Sequence, residues 1–438
     1  MRAGFGKACI TPELGTPCAL GLDNEAEEIF DDIFVRALCL ADGAETMVAL
    51  SVDVIGLNKP ETRAIAERAA RATGIAPERV VVHCTHTHQS PNSRIEYGEY
   101  LAEHGLRSYS PESWEQLQAG AETACRGARE DLQDARARYG EAEVAGIASN
   151  RRILDAHGRA ALRGSRVTAE MREHPEGHID PRVRVLAFER ARDRVFAMCY
   201  CCHPSAAGGD EGPYLTGDFP GHALSLLEND ALAGLHFTGP CGNINPGKYT
   251  VDTRKGDVAR MGRILAQGVA RALDAAEPVG DGCGWAREEL RLPLRQGLPS
   301  LDELETRVLA GIEEFKGIKA EGKRLPGGGE LRRNLAKLIV LRQAQGDELV
   351  SELVAWRIGE AAICFLPGEC FLGIDEGIRE AAVGPLLTVE NCDYSPSYIP
   401  TPEAYEQGGY EASVAHVAPT AFSRVIEAGR KALAAARR

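Results

Sequence analysis

Apolar and polar positions alternate between two periods along the chain. The run TMVALSVDVIG, residues 46–56, is dense in β-branched residues and reads as a strand. The next segment, PETRAIAERAARATG, carries its apolar residues at helical spacing and closes on glycine, which predicts a helix over 60–74. RVVVHC is the following strand, and ESWEQLQAGAETACRGAREDLQDARARYG predicts one long amphipathic helix ending at Gly140. RVRVLAFER and RVFAMCYCC, separated by ARD, predict a hairpin. Helices follow around PGHALSLLEND and DVARMGRILAQGVARALDAA. After a turn-rich stretch, LPSLDELETRVLAGIEEFKGIKA and ELRRNLAKLIVLRQAQ predict a helical pair, joined by the loop at 322–330. SELVAWRIG and AAICFLPG are the last predicted strands. The alternation is that of an α/β protein with mixed sheets. No repeat or long linker divides it, so residues 1–438 are expected to form a single catalytic domain. The glycine-rich RLPGGGEL follows no strand and lacks a GK[ST] ending, so it is not a phosphate loop.

Composition narrows the function. A net charge of −14 opposes nucleic acid and anionic membrane surfaces, and the longest basic runs, RRILDAHGR and KALAAARR, are too broken to form a patch. Neither partner is expected, and no stable membrane association. The N-terminus lacks the apolar core of a signal peptide, and the thirteen cysteines are scattered and odd in number. Reduced, mostly buried thiols and a cytoplasmic location are expected. Oligomeric state is not legible.

Chemistry concentrates where strands break. VVHCTHTHQSPN, from Val81 to Asn92, places His86 and His88 two residues apart in a polar segment directly after a buried strand, where α/β proteins build ligand sites; His83, inside the strand, is expected to be packed. His203 repeats the context in CYCCHPSAAGG, and Glu369 sits where AAICFLPGECF leaves its strand. Each has a structural alternative, a hydrogen-bonded imidazole for the histidines and a helix cap for Glu369. One shared metal site explains all three strand ends together.

The stretches HCTHTHQSP, NRR at Asn150–Arg152, CCHPSAA, TGDFPG, GPCGNINPG, LPGECF and SYIPTPEAYEQGGYEAS resemble, in order, the motifs of the neutral/alkaline non-lysosomal ceramidase family. The resemblance runs from GFGKACITPELG to about Ser413. It implies mixed β-sheets sandwiched by helices in a ceramidase-like catalytic domain, without the C-terminal immunoglobulin-like domain, and hydrolysis of an amide with one zinc ion. It further implies His86, His203, Glu369 and Tyr398 as zinc ligands, with His88, Arg151 and Tyr410 in catalysis. Asn245 stands where the family has a serine beside the metal, and Asn243 where it has an aspartate; both are expected at the substrate.

These departures, the short C-terminus and the acidic charge predict a zinc hydrolase acting on an amide or ester of a soluble small molecule rather than on membrane sphingolipid. A true ceramidase, a catalytically silent zinc-bound sensor or structural protein, and a cysteine hydrolase using Cys241 are the alternatives. Asp53 is a candidate to orient a zinc-bound histidine. Asp218 is expected to cap the helix after it, and His222 and His236 to be structural.

Overall fold

The computed structural model describes residues 1–19, 22, 24–43, 45–208, 213–323, 329–394 and 396–437. Most of the RLPGGGEL loop lies outside them.

Three sheets carry the framework, and each contains one parallel pair among antiparallel ones. In the first, Phe34–Asp42 pairs antiparallel with Arg2–Cys9 and with Glu45–Val52, and Val80–Cys84 adds in parallel to Glu45–Val52. In the second, the expected hairpin of Arg182–Glu189 and Arg194–Tyr200 is extended by Arg136–Glu143 on one side and, in parallel, by Leu232–Thr238 on the other. The third runs Cys283–Pro293, Glu348–Ile358, Ala361–Phe365 and Leu386–Val389, the last pair again parallel. A parallel pair directs two carboxyl ends to the same edge, and that edge is where His86, His203 and Glu369 follow their strands.

The sheets face one another across a shared apolar core. Leu38 and Val81 of the first, Phe188 and Phe237 of the second, and Trp356 and Phe365 of the third belong to one buried cluster. Helices cover the outer faces. Lys59–Thr73 and Pro111–Glu130 pack on the first sheet, Asp218–Leu227 and Arg254–Asp274 on the second, and Ala421–Ala435 with Leu372–Arg379 on the third. This is the expected mixed α/β arrangement of sheets between helices.

Two expectations require correction. The long helix stops at Glu130, and Arg136–Glu143 is a strand in the second sheet. Ala, Arg and Glu favour helix locally, but pairing with Arg182–Glu189 overrides that preference. Gly140 is therefore no helix cap. A Cβ there would lie 1.9 Å from the Ala272 carbonyl oxygen, so the glycine lets the Arg254–Asp274 helix approach the sheet. The turn-rich stretch before the helical pair also holds a strand of eleven residues, Cys283–Pro293.

The helical pair forms as expected, Leu301–Ala320 and Gly329–Arg342. Ser300 and Glu303 make a reciprocal capping box at its start. Leu304, Val308 and Ile312 share a buried cluster with Leu335 and Leu338 and with Tyr97 and Leu101 of the helix Ile95–Glu103, against which Gly329–Arg342 packs. The polar stripe of Gly329–Arg342 is left facing a cavity. Among the described residues no helix is long and apolar enough to cross a membrane.

Candidate metal centre and cavity

The three strand ends meet. The donor nitrogens of His86, His88 and His203 all lie within 4.8 Å of one another, and the rings stand 4.9–5.8 Å apart in edge-to-face orientation. Glu369 Oε2 lies 3.2 Å from His203 Nε2 and 3.5 Å from His86 Nε2. The helix-cap alternative for Glu369 fails, since the cap position of the following helix is Phe371.

Hydrogen bonding fixes the state of two of these rings. His86 Nδ1 is 2.6 Å from the Ile55 carbonyl oxygen, and His203 Nδ1 is 2.8 Å and 3.0 Å from those of Cys241 and Ile244. A carbonyl only accepts, so each Nδ1 carries a proton and each Nε2 is the nitrogen left free to face the site. Both Nε2 atoms face the Glu369 carboxylate. Burial, aided by Arg151, pushes the His203 pKa down to about 4, so at neutral pH its Nε2 offers a lone pair to the space the carboxylate also faces. Burial opposes the charge on Glu369, yet His86 and His203 hold its pKa well below the usual range. Converging nitrogen and carboxylate acceptors suit a cation, and this donor chemistry fits zinc.

The backbone is strained to achieve this. His86 has φ 66°, a left-handed conformation costly to a residue with a side chain, and is pinned by its N–H donating to Val54 O at 3.0 Å. Asp53 does not orient a histidine, as the sequence suggested. Its carboxylate accepts from Phe34 N and from Arg36, and backbone carbonyls take the orienting role instead. Asp218 is not the cap of the helix after it, since that position is Gly217 and Asp218 is the first helical residue. Its carboxylate accepts from Phe219 N at 2.7 Å and reaches back to Ala206 N and Ala207 N, clamping the loop after His203.

His88 differs from its two neighbours. Its side chain is half-buried and has no hydrogen-bond partner among the described residues, and it lines the cavity. Burial first, and the adjacent His86 and His203 rings next, drive its pKa well below the ordinary histidine value.

Tyr398 reaches the site through backbone register. The short strands Glu369–Cys370 and Tyr398–Ile399 pair in parallel with Glu369 opposite Tyr398. The Tyr398 ring stacks at 6.5 Å from His203 and meets Tyr410 edge-on at 5.8 Å. Burial raises its pKa well above the free value, with Arg151 opposing. Tyr410 is the more exposed of the two and opens on the cavity.

Three residues expected at the substrate do not line the cavity. Arg151 is buried 2.7 Å from Glu411 Oε1, donates to Gly242 O at 2.7 Å, and lies over the Tyr398 ring. Asn243 Oδ1 accepts from Leu372 N at 3.0 Å. Asn245 Nδ2 donates to Arg163 O at 2.7 Å, and its Oδ1 accepts from Gly247 N at 3.0 Å. Segments crossing behind the site need partners for their backbone groups, and these asparagines supply them.

Sequence reasoning missed Glu390, which follows the parallel strand Leu386–Val389 as Glu369 follows its neighbour. Its carboxylate accepts from Cys241 N, Cys370 N and Cys241 Sγ. It also missed Glu411, which joins Arg151 to Arg152 beside Tyr410. Cys241 is fully buried, and burial followed by Glu390 raises its pKa well above that of a free thiol. An activated nucleophile needs the opposite shift. His83 is packed as expected; His236 is buried and His222 half-buried. All thirteen cysteines are free, and Cys9 alone is exposed.

A cavity of about 430 Å³ opens from His86, His88, Glu369, Tyr398 and Tyr410 toward the helical pair. Its outer wall carries Arg94, Arg307, Arg332, Arg333 and Lys337. The sequence predicted no basic patch; folding assembles one from dispersed positions.

The family described as neutral/alkaline non-lysosomal ceramidase, N-terminal, matches residues 3–243. Among solved structures, a neutral ceramidase from Pseudomonas aeruginosa superposes with a TM-score of 0.74 at 19% identity, covering 100% of this chain and 74% of its own. A ceramidase complexed with C2 gives 0.72 at 18% identity, covering 100% and 75%. These similarities establish the fold. No curated protein matches the chain.

Proposed function

The chain belongs to the neutral/alkaline non-lysosomal ceramidase family, and from that premise we propose that it is a zinc-dependent hydrolase of an amide or ester in a soluble small molecule. The observation that carries this reading is the convergence of His86 Nε2, His203 Nε2 and the Glu369 carboxylate at the floor of a cavity. His86, His203 and Glu369 would hold the metal, with Tyr398 as the fourth donor. Zinc in such a site polarises a water and a substrate carbonyl, bringing the water's pKa from 15.7 to about 7–9.

The chain's own residues supply the rest. Metal-bound histidines ordinarily anchor their second nitrogen, as His86 and His203 do; the His88 ring is not anchored and faces the cavity. His88 is therefore assigned to proton transfer, taking a proton from the nucleophile and giving it to the leaving group. The Tyr410 hydroxyl is the donor placed to meet developing charge on the acyl oxygen. Arg151 acts one layer back, positioning Tyr398 and, through Glu411, the segment that presents Tyr410. The acidic net charge and the free thiols support a cytoplasmic location.

Zinc analysis and a hydrolysis panel of soluble amides and esters test the proposal. About one zinc per chain is expected, with turnover lost on chelation and restored by zinc. Failure across the panel with zinc bound would favour the silent sensor. Family membership supports the second reading, ceramide itself, and efficient cleavage of detergent-dispersed ceramide would establish it over ours.

A further inference from the structure

This chain neutralises many of its surface arginines. Arg68 pairs with Glu115 and Glu122, Arg291 with Glu289 and Glu348, and Arg342 with Glu305. The cavity wall breaks that habit. Among the described residues, Arg94, Arg307, Arg332, Arg333 and Lys337 form no ion pair and no side-chain hydrogen bond, although the chain holds 64 acidic residues. The Nε atoms of Arg94 and Arg332 are buried without a partner, as is the Tyr97 hydroxyl, and all three residues line the same cavity. Arg94 and Arg332 are the charges that act on Tyr97. Lys337 is half-buried, and the charges acting on it are those of Arg295, Arg307 and Arg333, with no carboxylate in opposition. Glu330 stands on the same wall and forms no ion pair among the described residues.

Buried donors without acceptors and clustered like charges both disfavour the free protein. They are accounted for together if an anion from outside completes them. The spacing suits this: Arg333 and Lys337 are one helical turn apart on the stripe of Gly329–Arg342 that faces the cavity, and guanidinium groups match two oxygens at once. A wall of unpaired cations is also a poor lining for hydrocarbon, because apolar contact would strip their water without replacing it.

We propose that the substrate carries a small oxyanion, a carboxylate or a phosphate, distant from the bond that is cleaved, and that Arg94, Arg332, Arg333, Lys337 and the Tyr97 hydroxyl receive it. This deepens the hydrolase reading and rests on it for the bond cleaved, while the anion site itself stands on the cavity wall alone.

The test uses the zinc-loaded full chain in two arms. The first measures turnover of N-acetyl amines of equal length whose amine portion ends in a carboxylate, a phosphate or a neutral carboxamide. One of the anionic members should exceed the carboxamide in kcat/KM by at least about tenfold, and which one does so identifies the oxyanion. In the Arg333→Gln, Lys337→Gln variant that preference should collapse through a roughly 10- to 100-fold rise in KM, the range for losing hydrogen bonds to a charged group. Glutamine keeps the helix propensity, and Arg333→Gln alone, at an exposed position, should give part of the effect in a chain that folds. Equal or better turnover of the carboxamide, or an undiminished preference in the variants, would overturn the proposal. The second arm measures calorimetric binding of glutarate and of inorganic phosphate, without chemistry. Binding that weakens in the variants, with no turnover of any substrate, would support the anion site and remove the hydrolase reading. No binding of either anion and no turnover would remove both.

Discussion

The floor and the wall of the cavity are built on opposite plans. On the floor, His86 and His203 each have one nitrogen tied to a backbone carbonyl and the other facing Glu369 at 3.2–3.5 Å, with strained backbone held by hydrogen bonds. On the wall, long cationic side chains from three segments stand without ion-pair partners among the described residues. The floor is organised before any substrate arrives, as electrostatic catalysis requires. The wall is incomplete without one. Chemistry and selectivity are thus placed on different elements: strand ends locked into a three-sheet core for the first, and a helical pair clustered with Tyr97 and Leu101 for the second.

The largest test of that division is removal of the floor. His86→Ala and His203→Ala should each empty the site and abolish turnover of every substrate, whatever its charge. Altering an outer partner typically lowers metal affinity 10- to 100-fold, so losing a donor should exceed about 100-fold. Zinc content after gel filtration, with circular dichroism to verify folding, checks this. Full occupancy in both variants would mean that the floor is not the metal site.

His88→Ala should separate rate from binding. Its ring has no anchor, so the variant is expected to keep its zinc and lose about 10²- to 10⁴-fold in kcat, the range for a general acid or base. The comparison sharpens if zinc stays. If a folded His88→Ala chain loses zinc, the three histidines are a single ligand set and proton transfer must be sought at Tyr410. A smaller change is expected for Tyr398→Phe. It removes the donor whose burial disfavours the phenolate, so most zinc should remain on His86, His203 and Glu369, with kcat reduced several-fold and its pH profile displaced.

Much of the floor was legible in the sequence because His86, His203 and Glu369 each follow a recognisable event, an apolar strand breaking into polar or Pro-Gly residues. The wall was not, because its cations come from three separate segments and meet only when the helical pair docks. Within Gly329–Arg342 the hint was present: Arg333 and Lys337 fall one turn apart on a stripe opposite Leu331, Leu335 and Leu338. Arg136–Glu143 misled for a different reason, since its residues favour helix and its fate is decided by pairing partners far along the chain. Family motifs located Arg151, Asn243 and Asn245 near the site but could not tell which way their side chains turn.

Asn245 provides the smallest expected effect on rate. By resemblance to the family it occupies the position of a serine beside the metal, and a direct role would make Asn245→Ala costly in turnover. The structure places the amide elsewhere: Nδ2 donates to Arg163 O at 2.7 Å, Oδ1 accepts from Gly247 N at 3.0 Å, and the residue is 2% exposed. Alanine would leave a carbonyl and an N–H buried without partners, each worth roughly 1–3 kcal/mol in lost solvation. The expected outcome is a lower unfolding midpoint in urea with kcat and KM near wild type at a temperature where both proteins are folded. The Arg163 carbonyl and the Gly247 N–H belong to segments that pass behind His203, so a modest loss of zinc affinity alongside the stability loss is compatible with this role. If turnover instead falls by about 100-fold or more, the range for a group acting at the reacting atoms, while zinc and stability stay intact, Asn245 returns to the chemistry and the preorganised floor extends to include it.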